Sequence, residues 1–411
     1  MAAKTLVVIG GGAAGFFCAV NAARLNPSLR VTILEKSNKL LSKVRISGGG
    51  RCNVTHACFE IAEMSRNYPR GQHFVKKAFH QFFTTNTIKW FEERGVKLKT
   101  EADGRMFPVT DSSQTIIDCL LKEASKFNVE IKMNAEVRSL KSEAGKFRVE
   151  LSGPRFLTCD YVCIACGGYS KLSMFDWLSE MRHSIEEPVP SLFTFNLPGH
   201  PVIKLMGVTV EKVKVKIQKS KLEQIGPLLI THWGLSGPVI LKLSAWGARE
   251  LAKTNWQFEI LINWLPSLQQ QQVQEKIQQQ RFSSGSQKVF NGNMFSLPQR
   301  LWQFLVLQSG IGEHSRWADL NAAQQNLLAK NLTAYETSVK GKTTFKEEFV
   351  TAGGIQLSGV DANTMMSKKL SNLFFAGEIL DVDGITGGFN FQHAWTSGFI
   401  AAKSVAALAA E

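Results

Sequence analysis

The stretch Val7-Val8-Ile9-Gly10-Gly11-Gly12-Ala13-Ala14-Gly15 decides the fold. An apolar run ends in three glycines, and Gly10, Gly12 and Gly15 have the spacing G-x-G-x-x-G. The first glycine lets the chain turn sharply out of a strand, the second lets backbone N–H groups approach a pyrophosphate, and the third lets a helix pack closely on the sheet. The N-terminus of that helix faces the phosphates with its partial positive charge. The stretch therefore predicts a dinucleotide-binding turn.

The residues that follow this turn support the interpretation. Residues 16–25 predict a helix, and residues 30–35 predict a second strand that ends in an acid. Glu35 lies about 20 residues after the glycines, where a carboxylate accepts hydrogen bonds from ribose hydroxyls. A carboxylate at this position would repel a 2′-phosphate. We therefore expect FAD or NAD rather than NADP.

Length and composition limit the class of protein. The chain has 411 residues, of which 44% are hydrophobic and 20% are charged, as is typical of a globular protein. This length predicts two or three domains. No apolar run reaches the roughly 18 residues of a membrane span, and the chain enters its first strand without a visible signal peptide. We expect no membrane partner.

Seven cysteines are scattered along the chain, and their odd number and irregular spacing give no disulfide framework. This usage fits a reducing cytoplasm. Cys163 and Cys166 form a nominal C-x-x-C pair in an apolar run that predicts a buried strand ending in a turn. Positions i and i+3 of a strand point to opposite faces. We therefore expect small core residues rather than a redox pair, and we predict no metal site.

The formal net charge is +14. Such a charge is high for an enzyme that meets only small metabolites, and it favours a polyanionic partner, with nucleic acid as the first candidate. A basic surface without a function is the alternative.

The segment from Lys36 to Thr55 is rich in Gly, Ser and Lys, has no clear period, and is predicted as a loop. Its centre, Ser47-Gly-Gly-Gly-Arg-Cys-Asn53, is typical of backbone that passes close to a ligand with polar groups beside it. Arg51 could face an anionic flavin or substrate, and Cys52 could donate a proton. A solvated loop with an ordinary buried cysteine is the alternative.

Strands and helices alternate through the rest of the first 170 residues. Strands are predicted over residues 96–100, 129–133, 147–151 and 161–165, and helices over residues 74–94 and 116–127. The strand at 161–165 is apolar throughout and ends at Gly167-Gly168. This alternation predicts a Rossmann domain that binds FAD.

The composition changes after Pro188, Pro190 and Pro198. Residues 207–218 alternate, which predicts a half-buried strand whose exposed face carries three lysines, Lys212, Lys214 and Lys216. This face could follow a phosphate backbone, and a merely solvated face is at least as consistent with the pattern.

A second strand in this region leads into a tight turn that carries His232. An imidazole there could move protons near neutral pH, and a structural histidine is the alternative. Ser236 is predicted to cap a helix over residues 238–252. Beyond it, a strand is predicted over residues 257–264, and helices over residues 267–280, 297–307 and 321–332.

From Phe345 the chain again shows apolar strands that end in glycine turns, as in its first part. A strand with a glycine turn is predicted over residues 349–355, a strand ending in Gly-Glu over residues 373–378, and a glycine pair opens a helix over residues 391–409. The predicted domains are an FAD-binding domain from residues 1–190 and 345–411, an inserted β domain at 191–265, and a helical subdomain at 266–344.

Three motifs now resemble those of a known family. They are Ser47-Gly-Gly-Gly-Arg-Cys-Asn53, Thr231-His-Trp-Gly-Leu-Ser-Gly-Pro238 and Ala376-Gly-Glu-Ile-Leu-Asp-Val-Asp-Gly-Ile-Thr-Gly-Gly-Phe-Asn390. Together with the glycine turn and Glu35, they are similar to the BaiN/RdsA family of FAD-dependent oxidoreductases over nearly the whole chain. His56 departs from the family, which often has Asn there.

The resemblance implies an α/β fold with a Rossmann-like FAD-binding domain built from both chain ends, and an inserted small β domain and helical subdomain. It implies tightly bound FAD and the reduction of a conjugated C=C bond. The expected FAD contacts are Gly10, Gly12, Ala13, Ala14, Gly15, Glu35, Lys36, Arg51, Val137, Gly167, Gly377, Glu378, Gly388, Phe389 and Asn390. Since no second G-x-G-x-x-G is present, NAD(P)H is expected to act as a transient reductant over the flavin.

Two substrate classes follow from the resemblance: uridine in ribosomal RNA, reduced to dihydrouridine, and the enone of an oxidised bile-acid steroid. For uridine the candidate proton donors are Cys52 and His232, and Arg51 could stabilise developing charge on a uracil carbonyl. The basic charge favours RNA, whose target base must be unstacked, because a steroid needs an apolar pocket and no basic surface. The alternatives are a small-molecule enone reductase and a non-catalytic RNA-binding flavoprotein.

Overall fold

The computed structural model describes residues 3–143, 145–343 and 350–411. The helices are α1 (Ala13–Leu25), α2 (Ser42–Gly50), α3 (Ile61–Ser65), α4 (Gln72–Phe79), α5 (Thr84–Glu92), α6 (Ser113–Lys126), α7 (Pro238–Trp246), α8 (Ala248–Lys253), α9 (Gln270–Ser283), α10 (Gln299–Gln308), α11 (Ala322–Thr333) and α12 (Phe389–Leu408).

The strands are β1 (Thr5–Ile9), β2 (Arg30–Leu34), β3 (Thr55–His56), β4 (Leu98–Thr100), β5 (Arg105–Pro108), β6 (Glu130–Lys132), β7 (Val137–Glu143), β8 (Lys146–Leu151), β9 (Phe156–Cys159), β10 (Tyr161–Ile164), β11 (Ile185–Ser191), β12 (Thr194–Asn196), β13 (Thr209–Ile217), β14 (Glu223–Ile230), β15 (Gly234–Ser236), β16 (Gln257–Asn263), β17 (Tyr335–Lys340), β18 (Lys342–Thr343), β19 (Val350–Ile355) and β20 (Leu373–Phe375).

The chain forms two compact units. The first comprises Met1–Ser191 and Phe345–Glu411, and the second comprises Leu192–Thr344. The predicted boundary at residues 344 and 345, and Phe349 of the predicted strand 349–355, lie outside the described residues. Among the residues described, no helix is both long enough and apolar enough to cross a membrane.

The first unit is built on a five-stranded parallel sheet with the order β20-β10-β1-β2-β6. All four neighbouring pairs are parallel, and β20 from the C-terminal part of the chain pairs with β10 from the N-terminal part. The apolar residues of β1 and β10 are buried, as expected for a parallel sheet covered on both faces. The predicted α/β class, with a Rossmann-like sheet assembled from both chain ends, is confirmed.

Helices α1 and α12 pack closely against each other in the first unit. A Cβ atom on Gly398 of α12 would lie 2.7 Å from the carbonyl oxygen of Ala14 in α1, so only glycine fits at this crossing. Phe17 of α1 and Trp395 of α12 complete the contact with their ring centroids 5.2 Å apart. The first and last helices of the chain therefore lie side by side.

Three smaller antiparallel sheets accompany the parallel sheet: β3-β5-β4, β7-β8-β9 and β11-β19. The strand predicted over residues 147–151 is β8 of the sheet β7-β8-β9, and β7 was not predicted. The loop predicted over residues 36–55 is partly wrong, because α2 occupies its centre. The helix predicted over 74–94 is also wrong as one element: residues 80–83 interrupt it, and Phe82 stacks on Phe399 with ring centroids 4.4 Å apart.

The second unit contains a seven-stranded antiparallel sheet with the order β17-β16-β13-β14-β15-β12-β18. The edge strands β17 and β18 are consecutive in the chain, and Gly341 alone separates them. The N–H of Asn196 in β12 donates to the carbonyl oxygen of Gly341 at 3.1 Å. Because its two edges meet at Gly341, the sheet curls into a barrel-like form.

One hydrophobic core joins this sheet to the helices of the second unit. Val215 and Ile260 contribute from the strands, and Ile277, Trp302 and Leu328 contribute from α9, α10 and α11. The division between a β domain and a helical subdomain at residue 265 stays a prediction. Strand β17 follows the helices and pairs with β16 along six residues, so the chain returns to the sheet after residue 335.

The strand alternation predicted for residues 207–218 is present in β13. Val213, Val215 and Ile217 are buried, and the three lysines of the opposite face are partly or fully exposed. The helix predicted over residues 238–252 is divided at Gly247 into α7 and α8. The capping role predicted for Ser236 is wrong, because Ser236 ends β15 and the N-cap of α7 is Gly237, without a side-chain cap.

Candidate functional site

The glycine turn after β1 leaves open space in front of α1. Gly10 has φ +114°, and a Cβ there would lie 2.5 Å from the carbonyl oxygen of Ala165. A Cβ on Gly15 would lie 1.9 Å from the carbonyl oxygen of Gly10. By contrast, a Cβ on Gly12 would meet no atom within 4 Å. Gly10 and Gly15 thus satisfy packing within the chain, whereas Gly12 borders unfilled space.

The start of α1 is suited to a phosphate. The helix begins at Ala13, and its N-cap, Gly12, offers no side chain to the first N–H groups. These N–H groups and the helix dipole favour an anion, and no acidic residue lies in the first turn to compete with it. The glycine turn, with Ala13 and Ala14 at the helix start, therefore fits the pyrophosphate of a dinucleotide.

Glu35 lies beside this turn, after the end of β2. Its Oε2 accepts a hydrogen bond from the N–H of Gly11 at 2.9 Å, and its Oε1 accepts from the N–H and hydroxyl of Ser37 at 2.9 and 2.8 Å. These bonds fix the carboxylate next to the glycine turn, where ribose hydroxyls could donate to it. Lys36 is exposed beside it, and Val137 begins β7.

Gly377 and Glu378 follow β20 at the same edge of the parallel sheet. Gly377 has φ +75°; its N–H donates to Ser397 Oγ at 2.9 Å, and its carbonyl oxygen lies 3.2 Å from His393 Nε2. Glu378 Oε1 accepts from the N–H of Thr351 at 2.9 Å, and Lys43 Nζ lies 2.5 Å from Glu378 Oε2. Helix α12 thus holds the backbone that presents this carboxylate.

Gly167 completes this edge of the sheet. It follows β10 with φ +78°, and a Cβ there would lie 4.0 Å from Glu378 Oε2. Since parallel strands end at one edge, the sheet brings together Gly10, Gly167 and Gly377, as expected for the crevice in which such sheets bind ligands.

The start of α12 is a second crowded glycine turn. Gly388 is its N-cap with φ +95°, and a Cβ there would lie 2.5 Å from the carbonyl oxygen of Thr55. The amide of Asn390 accepts from the N–H of Gly384 at 2.8 Å and donates to its carbonyl oxygen at 2.9 Å. Asn390 therefore stabilises the loop that precedes α12 by hydrogen bonds to its backbone. Phe389 stacks on His56 with ring centroids 4.7 Å apart.

The three glycines that end α2 adopt left-handed conformations. Gly48, Gly49 and Gly50 have φ values of +59°, +69° and +84°, and Cβ atoms on Gly49 and Gly50 would meet nothing within 4 Å. Backbone there is open to approach, as the sequence predicts for a segment beside a ligand. A non-glycine residue, Cys52, also has a positive φ of +61°.

Arg51 is engaged with carboxylates of its own unit. Its Nη1 donates to Glu101 Oε1 at 2.6 Å and lies 3.6 Å from Asp111 Oδ1. The guanidinium also lies 4.0 Å from the ring centroid of Phe107. These contacts hold Arg51 on the β3-β5-β4 sheet. In its predicted role, Arg51 would therefore have to contact flavin or substrate in addition to these carboxylates.

Cys52 is fully buried, with 0% of its surface exposed. Burial raises the pKa of its thiol to about 12, although a hydrogen bond with Ser47 acts in the opposite direction. The thiol therefore keeps its proton at neutral pH. It could act as a proton donor only to a strongly basic atom, and it is not a thiolate nucleophile.

His232 belongs to the second unit, in the turn between β14 and β15. Its ring is exposed and contacts Trp233 edge-on, with ring centroids 4.2 Å apart. Trp233 Nε1 donates to Thr194 Oγ1 at 3.0 Å, which fixes the neighbouring indole. The candidate proton donors thus differ in environment, since Cys52 is enclosed and His232 faces solvent.

Cys163 and Cys166 each have a different first partner. Both are free thiols. Cys163 interacts with Cys18 of α1, and Cys166 interacts with Tyr169 beyond the end of β10. Burial raises the pKa of Cys166 to about 11.

A buried ion pair holds the loop before α12, and the sequence analysis missed it. Arg70 donates to both carboxylate oxygens of Asp383, with Nε 2.5 Å from Oδ1. Ser191 Oγ donates to Asp383 Oδ2 at 2.8 Å, and Tyr68 donates to the carbonyl oxygen of Phe389 at 2.6 Å. The available signal was an acid, Asp383, between Val382 and Gly384 in the motif of residues 376–390.

With this geometry established, comparison with known proteins decides the family. The family model described as "HI0933-like protein Rossmann domain" matches residues 4–404. The chain belongs to this family. Its match covers the glycine turn, the inserted unit and α12, and it confirms the resemblance inferred from the sequence motifs.

Relatives of the HI0933-like family include two kinds of enzyme. The 3-dehydro-bile acid delta(4,6)-reductase of Clostridium scindens is 28% identical over 97% of this chain and 98% of its own. The ribosomal RNA dihydrouridine synthase of Escherichia coli is 30% identical over 98% of both chains. The synthase of the same name from Haemophilus influenzae is 28% identical over 97% of this chain and 98% of its own.

Among solved structures, 3-ketosteroid-delta4-(5alpha)-dehydrogenase from Rhodococcus jostii RHA1 matches with a TM-score of 0.52 and 12% identity, over 98% of this chain and 97% of that one. 3-Ketosteroid delta1-dehydrogenase from Sterolibacterium denitrificans matches with a TM-score of 0.51 and 12% identity, over 98% of this chain and all of that one. At this identity the likeness concerns the fold. The HI0933-like chain is an enzyme, a flavin-dependent oxidoreductase.

Proposed function

We propose that this oxidoreductase uses FAD, with NAD(P)H as a transient reductant, to reduce uridine in ribosomal RNA to dihydrouridine. The relatives named as ribosomal RNA dihydrouridine synthases support this reaction class, and they match along nearly the whole chain. The named bile-acid reductase matches equally well in length, so identity alone does not select the substrate.

The distribution of charge is the observation that favours RNA. Residues 192–344 contain 17 Lys and Arg but only 8 Asp and Glu, so this unit carries nine of the fourteen excess positive charges. The flavin-binding features described above all lie in the other unit. A basic inserted unit suits a polyanionic substrate, whereas a bile-acid steroid offers a single carboxylate rather than a run of phosphates.

The first unit has two groups of residues that fit FAD, one at the glycine turn and one along the edge of the parallel sheet. The open space at Gly12 and the uncapped start of α1 would receive the pyrophosphate, and Glu35 would accept from a ribose. Gly167, Gly377 and Glu378 would line the continuation of the site along the sheet edge. When bound and reduced, FAD supplies the hydride for the C=C bond.

The chain itself must hold the base and supply a proton. Saturation of the uracil C5=C6 bond with hydride at C6 requires a proton at C5. His232 is the more accessible candidate donor for a bulky substrate because the residue is exposed. Cys52 retains its proton but is enclosed, so it would need a substrate atom to enter the protein. Arg51 would stabilise charge on a uracil carbonyl.

The proposed setting is the cytoplasm, where ribosomal RNA is made and thiols stay reduced. All seven cysteines are free, and six of them are buried. A second candidate function, reduction of a small enone, is favoured by the bile-acid reductase among the relatives. A third, RNA binding without catalysis, would retain FAD as a structural element.

Dihydrouridine analysis of ribosomal RNA tests the proposal. Nuclease digests of ribosomal RNA from cells with and without the gene are compared by mass spectrometry. We expect one dihydrouridine to disappear and to return with the wild-type gene but not with a Gly12→Ala variant, which would lose flavin. Unchanged dihydrouridine, with FAD bound to the purified protein, would contradict the RNA substrate and favour an enone. Restoration by a flavin-free variant would contradict flavin catalysis.

A further inference from the structure

One end of the second unit concentrates exposed lysines. They come from three places in the sequence: Lys219 and Lys221 in the turn between β13 and β14, Lys253 at the end of α8, and Lys340 at the end of β17. We call these four lysines, with Lys342, Trp246 and Trp256, the basic end.

Strand pairing brings these positions together. Ile217, the last residue of β13, pairs with Ile260 of β16, so the turn carrying Lys219 and Lys221 extends toward the start of β16. Lys340 pairs with Gln257, the first residue of β16.

The helices of this unit meet the same end of the sheet. The N–H of Gln257 donates to the carbonyl oxygen of Thr254 at 3.1 Å, which places Lys253 beside β16. At the end of α7, a Cβ on Gly247 would lie 3.0 Å from Leu222 Cδ1. Trp246 therefore lies next to the turn between β13 and β14.

These lysines differ from those on the exposed face of β13. Lys214 forms an ion pair with Glu223 at 2.9 Å, and Lys212 Nζ lies 3.3 Å from Ser267 Oγ. Within the described part of the chain, Lys219, Lys221, Lys253 and Lys340 form no ion pair. An exposed acid, Glu250, also lies on α8. A second exposed acid, Glu259, lies on β16 at this end, and its Oε1 accepts a hydrogen bond from Ser338 Oγ at 2.6 Å. The four lysines are thus unpaired among the residues described, although two acids share this end of the unit.

Two tryptophans accompany this charge. Trp246 is 38% exposed at the end of α7. Trp256 is half-buried, and Lys342 Nζ lies 4.6 Å from its ring centroid. An exposed indole beside unpaired lysines is the combination with which proteins bind single-stranded nucleic acid, because each base offers a face for stacking and each phosphate a charge.

We propose that the basic end binds the backbone of single-stranded RNA through its lysines and stacks a base on Trp246. This inference rests on the proposed RNA substrate. It adds a surface of the second unit at which that RNA would be bound. It differs from the three-lysine face of β13, where part of the charge is already neutralised.

Binding of a fluorescein-labelled single-stranded RNA to the FAD-loaded full chain tests this inference. Fluorescence anisotropy is measured between about 50 and 200 mM salt for wild type and for a variant with Lys219, Lys221, Lys253 and Lys340 changed to Gln. Each lost phosphate contact lowers the salt slope by about 0.7. We expect the slope to fall by about 3 and the affinity near physiological salt to fall by one to two orders of magnitude.

A matched control carries the same charge change elsewhere. Lys76, Lys77, Lys122 and Lys403 are exposed lysines of the first unit, and their change to Gln should reduce affinity far less. Trp246→Ala should weaken binding about tenfold, and Trp246→Phe should restore most of it. Equal losses in both lysine variants, or no loss in the basic-end variant, would overturn the inference.

Other outcomes separate this inference from the proposed reaction. If wild type binds RNA through the basic end but cells show no gene-dependent dihydrouridine, the surface stands and the reaction fails. If dihydrouridine formation survives the basic-end substitutions with unchanged RNA affinity, the reaction stands and the surface fails. Binding to phosphatidylserine vesicles but not to RNA would overturn the inference in favour of a membrane surface. Flavin content, read from visible absorbance, should be the same in all variants.

Discussion

Acid should destabilise the first unit through His393. This residue of α12 is 2% exposed, and its Nε2 lies 3.2 Å from the carbonyl oxygen of Gly377. Its Nδ1 has no hydrogen-bond partner among the described residues. Burial lowers its pKa to about 4, and the nearby Glu378 and the bond to Gly377 only partly oppose this effect. The folded chain therefore holds His393 neutral.

The size of the effect follows from the difference in pKa. In the unfolded chain a histidine titrates near 6.5, so between pH 6.5 and 4 the unfolded state binds more protons than the folded state. The contribution of neutral His393 to the free energy of unfolding is fully present above pH 6.5 and is lost as the pH falls below it. At about pH 5 the loss amounts to about 2 kcal/mol, and at about pH 7.5 it is close to zero.

A His393→Gln variant removes the titration and keeps an N–H donor for Gly377. Urea unfolding is measured near pH 7.5 and near pH 5 for both proteins. On going from the higher to the lower pH, wild type should lose about 2 kcal/mol more free energy of unfolding than the variant. His80→Gln, at an exposed position, serves as the control and should parallel wild type. A His393→Gln profile parallel to wild type would refute the reasoning, as would a histidine NMR resonance, absent in the variant, that titrates near pH 6.5.

Three further predictions concern the flavin site and its support. Gly12→Ala should lose visible flavin absorbance but, compared with flavin-free wild type, keep its thermal stability, whereas Gly15→Ala should cost about 3 kcal/mol because its Cβ would lie 1.9 Å from a carbonyl oxygen; equal stability losses of the two flavin-free variants would contradict this. Arg70→Met should lower the free energy of unfolding by about 3–5 kcal/mol, since it leaves Asp383 buried and unpaired; a loss under 1 kcal/mol in urea unfolding would show that the pair adds little. Cys52, with its pKa near 12, should resist iodoacetamide in the native chain and react after unfolding, as mass spectrometry can show, and full turnover by Cys52→Ala would remove it from the mechanism.

The parts of the fold that the sequence predicts are local in origin. The glycine turn, α1 and β2 lie within 35 residues and share one pattern, so their geometry follows from spacing. The alternation of β13 and the apolar run of β10 likewise follow from periodicity. The placement of Gly167 and Gly377 beside the turn also follows, because parallel strands end at one edge.

The parts that were missed depend on distant contacts. Arg70 and Asp383 are separated by 313 positions, and Lys43 and Glu378 by 335. No local pattern identifies such partners. Arg51 shows the same limit, since its ion pair with Glu101 depends on how β5 folds back.

The hydrophobic periodicity of the sequence also did not predict where helices are interrupted. Residues 74–94 have helical periodicity throughout, but the packing of Phe82 on Phe399 favours a break that propensity does not encode. One predicted helix is likewise divided into α7 and α8 at Gly247, where an added Cβ would lie 3.0 Å from Leu222 Cδ1 and Leu251 Cδ1.

The pairing of β12 with β18 has an evolutionary consequence. Thr194, three residues into the second unit, pairs with Thr343 at its end, and Phe195 pairs with Lys342. The two ends of this segment of about 150 residues thus lie side by side within the second unit. Such a segment can be exchanged as a cassette without altering the length of the host chain. Under the proposed function, exchange of this cassette would change the substrate preference and leave the FAD-binding features of the first unit as they are.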